Sequence, residues 1–344
     1  MPFSQVDYCQ YLLSVSDNYT LTNLAKHLKK VSHDTINRYL RKANFTSESL
    51  WQNVQKDIQT SEEGALIFDD TVLDKRFGEK IELVRRQYSG TEHRVLSGIG
   101  LVNCVYVNPE IGQFWVIDYR IYDPEHDQKT KLDHVADMLN SAVTEKQLTF
   151  AKVLMDSWYA AQELMAIIDN LGKIYYCPLK KNRLVDDSGG QHKYQAVENL
   201  IWSDDEEKLG KLIKIKNFPK DKKVQLFRVI VSANKTEYVV TNDLNKAGKS
   251  DVKKTTLDVK KICALRWKIE EFHREIKQLT GIESCQCRKA IIQRNHIACA
   301  ILVWNYLKKL ARMTHQTVYQ LKTELMSTYL TKELSFPSIK MELV

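Results

Sequence analysis

Apolar positions near the start of the chain recur at helical intervals. Leu21, Leu24, Ala25 and Leu28 fall on one helix face, and Ile36, Tyr39 and Leu40 on a second. Val31-Ser32 interrupts the period, and Ser32 is a suitable N-cap for the second helix. Residues 1–60 hold no glycine and one proline, so the whole stretch is predicted to be helical. Two short helices joined by a tight turn are the parts of a helix-turn-helix. The second would carry His33, Asn37, Arg38, Arg41 and Lys42 toward base edges and phosphates. A helical hairpin that only packs against its neighbours is the alternative.

From residue 64 the period shortens. Ala65-Leu-Ile-Phe68 is an apolar run that ends in Asp69-Asp70-Thr71. Val95–Val107 and Gln113–Tyr122 are rich in β-branched and aromatic residues and are expected as strands. Residues 129–147 return to a helical period, Phe150–Met155 is a further strand ending at Asp156, and Ala160–Leu171 is a helix. The alternation predicts an α/β fold. Residues 174–243 break it. Ile174–Cys177, Gln195–Trp202, Lys211–Ile215, Val224–Val231 and Glu237–Thr241 alternate like antiparallel strands between charged turns, a β-rich insertion. Lys180–Arg183 and Lys214–Lys223 concentrate positive charge there. A polar linker over 244–256 leads to helices, one of them ending at Gly281, whose freedom at positive φ suits a left-handed cap.

Composition narrows the class. A chain of 344 residues with 43% hydrophobic content, 12 Gly and 6 Pro is globular and ordered. The net charge of +8 favours a polyanionic partner. The seven cysteines are scattered, and Cys285-x-Cys287 with His296 fits no standard zinc spacing. No basic-then-apolar leader opens the sequence and no apolar run nears about 18 residues, so a cytoplasmic protein outside the membrane is expected.

The candidate chemistry lies in Arg266-Trp-Lys-Ile-Glu-Glu-Phe-His-Arg-Glu-Ile-Lys277. Helical spacing brings Arg266, Glu270 and Lys277 to one face, and His273 and Arg274 follow Glu270 by one turn. Asp69 and Asp156 each stand where a strand ends, the usual place for reactive groups in α/β sheets. Three carboxylates converging there would hold two Mg²⁺ for phosphodiester chemistry, with the neighbouring cations on phosphates.

Those residues resemble the DDE transposases of bacterial insertion sequences, and within them the group marked by Tyr-x2-Arg-x3-Glu-x6-Lys. Arg266, Glu270 and Lys277 match the last three positions, Asp69-x-Thr71 and Asp156-Ser-Trp-Tyr159 the two upstream acids, and Tyr238–Asp243 the strand before the signature helix. The likeness spans about residues 60–310. Cys263 stands where the signature has tyrosine, and Asp70 competes with Asp69 for the first acid. The resemblance implies a ribonuclease-H-like mixed sheet flanked by helices, divided as 61–173 and 244–315 around the insertion at 174–243. A DNA-binding region at 1–60 would precede it and a helical tail at 316–344 would follow. It implies Asp69, Asp156 and Glu270 as ligands of two Mg²⁺, for which Mn²⁺ should substitute. Arg266, Lys277, Arg274, His273, Arg38 and Arg41 are then expected on DNA, and Trp202 on a flipped base. The expected substrates are the element's terminal inverted repeats and target DNA, bound by a homodimer on paired ends. A decayed or co-opted transposase that only binds DNA is the competing expectation.

Overall fold

The computed structural model describes residues 3–90, 92–219, 221–245 and 253–336. Four helices come first: α1 (Gln5–Ser14), α2 (Leu21–His27), α3 (His33–Lys42) and α4 (Ser47–Val54). Ser32 caps α3 by accepting a hydrogen bond from the Thr35 N–H, as its position predicts. Ile36 and Leu40 of α3 face inward, while Arg38 and Arg41 are exposed.

The first strands are β1 (Ala65–Asp74), β2 (Arg85–Ser89), β3 (Arg94–Asn108) and β4 (Gln113–Ile121). After the short α5 (Pro124–Asp127) come α6 (Lys131–Thr144), β5 (Lys152–Met155), α7 (Gln162–Asn170) and β6 (Ile174–Leu179). β1 is antiparallel to β3 and parallel to β5, and β5 is parallel to β6. With β4 antiparallel to β3, the order β4-β3-β1-β5-β6 is the ribonuclease-H-like mixed sheet expected from the sequence. Ala65–Phe68 is fully buried because β1 is central and covered on both faces.

The next elements are β7 (Leu184–Asp186), β8 (Gln195–Ala196), α8 (Asp204–Leu209), β9 (Lys211–Ile215), β10 (Val224–Ser232) and β11 (Lys235–Thr241). β11 pairs with β6, and β10, β9, β7 and β8 continue outward, so the sheet runs without a break from the core into this stretch. The strand expected over Gln195–Trp202 is only two residues long and turns at once into a 3₁₀ segment, Val197–Asn199. Its partner β7 is three residues long, and Val197 and Leu200 instead turn inward as core side chains. Most of the linker expected over 244–256 lies outside the described residues.

The chain closes with α9 (Thr256–Ala264), α10 (Trp267–Leu279), α11 (Ala290–Thr314) and α12 (Val318–Ser335). Beyond Thr280, Gly281 adopts φ +63, the left-handed cap expected there. A Cβ at Gly281 would stand 2.4 Å from the Tyr19 ring, so the N-terminal helices close directly on the end of α10. α11 ties them to the core. The Asn295 amide donates to the Leu40 and Ala43 carbonyls at 2.7 and 2.8 Å and accepts from the Phe45 N–H at 2.8 Å. The Tyr8 hydroxyl meets His296 Nδ1 at 2.9 Å. No helix among the described residues is long and apolar enough to cross a membrane.

Candidate active site

Pairing of β1 with β5 stops at Phe68 and Met155, so β1 continues past the carboxyl end of β5 with that edge open. A cavity of about 830 Å³ fills the gap, lined by Asp69 and Asp70 of β1, Asp156 after β5, and one stripe of α10. The stripe is Trp267, Glu270, His273, Arg274, Lys277 and Gln278; of the residues expected on one face, Glu270, His273, Arg274 and Lys277 are in it and Arg266 is not. The opposite stripe packs on α11: Lys308 Nζ reaches Glu271 at 2.8 Å, and Trp304 Nε1 donates to Glu275 at 2.9 Å. Those contacts set the rotation of α10 and turn Glu270 toward the acids of the sheet.

Neighbouring Asp69 and Asp70 point to opposite faces of β1, as strand alternation requires. Asp69 lies beside its cross-strand partner Asn103, whose side-chain amide meets His273 Nε2 of α10 at 3.0 Å. Asp70 is engaged on the α6 side: Lys131 Nζ is 2.5 Å from one oxygen, and the Tyr159 hydroxyl donates to the other at 2.7 Å. Each of its oxygens already accepts one hydrogen bond.

Asp69 is short of positive charge. Burial first, then Asp156 and Asp70, push its carboxyl up to about 8. Burial also raises Asp156, although its Oδ1 accepts the Trp158 N–H at 2.7 Å and Arg266 opposes the rise. Glu270 stands exposed on the other wall. As the side chains stand, no three His, Cys, Asp or Glu residues among those described gather closely enough to hold a metal ion. Two half-buried carboxylates with raised pKa values and a solvent-accessible glutamate in one cavity nonetheless suit a hard divalent cation that takes oxygen ligands and retains waters.

The expected cations are placed unevenly. Arg266 lies at the junction of α9 and α10, where its guanidinium reaches the Met155 carbonyl at 3.5 Å and Glu237 at 3.7 Å. Its charge bears on both Asp69 and Asp156. Lys277 Nζ donates to the Val72 carbonyl at 2.7 Å and lies 3.3 Å from Glu283. Arg274 is exposed on the cavity wall. His273 is held well below the usual imidazole range, near 3, by burial and then by Lys277, so it is neutral. Trp202 does not line this cavity; it is half-buried, with Lys211 Nζ 5.5 Å from its ring centre. The aromatics at the mouth are Tyr88, Trp158 and Trp267, each about half exposed or more. Arg38 and Arg41 lie on α3, apart from the residues lining the cavity.

Sequence reasoning missed Lys131 and Asn103, for which no local signal exists. It could have found Trp158 and Tyr159, which stand inside the matched Asp156-Ser-Trp-Tyr159 motif.

The family pattern described as transposase DDE domain matches residues 61–306. No curated relative matches the sequence. Among solved structures, a piggyBac transposase synaptic complex with hairpin DNA is similar with a TM-score of 0.46 and 12% identity, over 98% of this chain and 72% of that one. A Mos1 transposase paired-end complex with left transposon end gives 0.19 and 16%, over 52% and 58%. Ciona intestinalis endonuclease V bound to inosine-containing DNA gives 0.26 and 11%, over 71% and 99%.

Proposed function

The chain belongs to the transposase DDE domain family and is a DNA transposase, and we propose that it cuts and rejoins DNA at the ends of an insertion sequence through Asp69, Asp156 and Glu270. The observation that carries this reading is the pair of half-buried carboxylates, both raised above the usual carboxylate range, that share one cavity with Glu270. These three would hold two Mg²⁺ (or Mn²⁺), which when bound supply activation of the attacking oxygen and stabilisation of the leaving one.

The protein's own groups do the rest. Lys277 and Arg274 line the cavity one to two turns beyond Glu270 and grip phosphates beside the scissile bond. Arg266 offsets the charge of Asp69 and Asp156 when the cavity holds no metal, and turns toward the phosphate when it does. Neutral His273 cannot add charge and serves to hold Asn103 against α10. Asp70 is a structural counter-ion for Lys131 rather than a metal ligand.

In the first reaction water displaces the 3′ oxygen at the element end; in the second the freed 3′-OH attacks a phosphodiester. The second attack joins strands without an external energy source because each broken phosphodiester is replaced by another. The partners are duplex DNA of the terminal inverted repeats and of the target, bound by a homodimer on paired ends, with Arg38 and Arg41 of α3 turned outward for duplex contact. Cys263, in the place of the signature tyrosine, is half-buried beside Arg266 and Glu237 and offers no ring to the DNA.

Plasmid excision of the element with its own flanks, comparing wild type with Glu270→Gln, tests the reading. Excision by the wild type alone supports it. Excision that survives the substitution removes Glu270 from the site, and failure of both with retained end binding indicates a binding protein.

A further inference from the structure

A second cavity of about 500 Å³ opens beside the first, and Trp158 lines both. Its cationic wall is Lys180, Arg183 and Lys216, with no carboxylate among the lining residues. We propose that this cavity receives an unpaired stretch of the DNA strand running away from the scissile phosphate, bases on the Trp158 indole and phosphates on the three cations. The inference rests on the reading of the acid cavity as the cutting site.

The charge was evident in the sequence, but its function was not. In the fold, pairing of β7 with β9 brings two turns together. One is closed by the Arg183 N–H donating to the Lys180 carbonyl at 2.9 Å. The other carries Lys216, whose N–H donates to the Leu184 carbonyl at 2.9 Å, and Asn217 at φ +71. Some other cations of the stretch are matched, Lys211 with Asp187 at 2.8 Å and Arg228 with Glu207 at 2.6 Å. Lys181, Lys193, Lys208, Lys214 and Lys223 have no ion pair among the described residues but lie outside the lining of this cavity. Among the described residues, Lys180, Arg183 and Lys216 have no acidic partner within ion-pair distance. Arg183 Nε is also buried without an acceptor. A donor left in that state is costly, and a phosphate oxygen would satisfy it with a charge-assisted bond.

Trp158 supplies the other half. Its backbone N–H is fixed to Asp156 and its ring is held edge-on to Tyr159 with centroids 4.9 Å apart. Even so, 49% of the residue remains exposed. A rigid indole with an open face is a stacking platform, and any base can use it. Trp158 is two residues from Asp156, a span of roughly 7 Å at most. That is about two base steps along a strand. Bases inside a duplex are already stacked on each other, so only an unpaired segment can use the indole and the recess beyond it.

The test uses the full chain in EDTA, so that nothing is cut, with fluorescence anisotropy as the readout. The probes are a duplex of the element's own end carrying a short unpaired thymidine tail, and its blunt parent. Wild type should bind the tailed probe roughly tenfold more tightly, and Trp158→Leu should lose most of that preference. The variant Lys180→Gln/Arg183→Gln/Lys216→Gln should lower the salt dependence, as the slope of log K against log salt, by about 2 on the tailed probe. It should change the blunt probe far less. Equal binding of the two probes by wild type, or a tail preference kept by both variants, overturns the inference. Cutting of the blunt probe in Mg²⁺ is scored in parallel. Cutting without tail preference refutes this inference alone; tail preference without cutting refutes the assignment of the acid cavity and leaves the strand site standing.

Discussion

Asp69 and Asp70 are adjacent and chemically identical, yet their replacement by asparagine should change stability in opposite directions. The Asp69 carboxyl is pushed up to about 8 in the folded, metal-free chain, against about 3.9 when unfolded. The folded state therefore holds the proton more tightly. This group's contribution is most favourable below pH ~4 and declines as pH rises to ~8, at about 1.4 kcal/mol per unit. Over that window the full slope amounts to about 5–6 kcal/mol; relaxation of the cavity and the nearby Arg266 reduce what is expressed. Asp69→Asn is accordingly expected to stabilise the metal-free protein at pH 8 by at least about 1–2 kcal/mol, or several degrees in Tm, and to leave it nearly unchanged near pH 4. Asp70→Asn should instead destabilise by about 1–3 kcal/mol, because Lys131 loses its counter-ion and Tyr159 its charged acceptor. Thermal unfolding in EDTA at both pH values measures these signs. Saturating Mg²⁺, at about a hundredfold its Kd, should add about 2.7 kcal/mol to wild type and to Asp70→Asn, and little to Asp69→Asn. A destabilised Asp69→Asn at pH 8, or one still stabilised by Mg²⁺ like wild type, would refute the assignment of the half-buried carboxylate to the metal.

Asn295→Ala removes three hydrogen bonds that close the end of α3 and start the next segment. It should cost about 2–4 kcal/mol, and limited proteolysis should release the N-terminal helices before the core. Gly281→Ala places a Cβ 2.4 Å from the Tyr19 ring at a positive φ, so urea unfolding should show a loss of about 2 kcal/mol or more. Asn103→Ala removes the strand-to-helix contact to His273 of α10; strand transfer should fall in Mg²⁺ and recover in part with Mn²⁺, whereas a merely unfolded variant would recover with neither.

Much of the site could be read from local pattern. The buried run before Asp69, the strand before Asp156 and the repeat of Glu270, His273, Arg274 and Lys277 are periodic features, and a helix or strand carries its period wherever it packs. Ser32 and Gly281 act within a turn of their own position, so their roles as caps were also legible. Contacts made between distant segments were not. Whether Asp69 or Asp70 faces Glu270 depends on α10 lying on one side of β1 and Lys131 with Tyr159 on the other, and Asp70 and Lys131 are 61 residues apart. The direction of β6 depends on α7 returning the chain to lie parallel to β5. Periodicity also gives no information on which tryptophan reaches the acids. Trp202, expected on a flipped base, is half-buried outside the lining of this cavity, and Trp158 stands at the mouth with its backbone N–H held by Asp156. Local chemistry determined which residues could react. Closure of the sheet, with pairings that no short stretch of chain encodes, determined which of them meet.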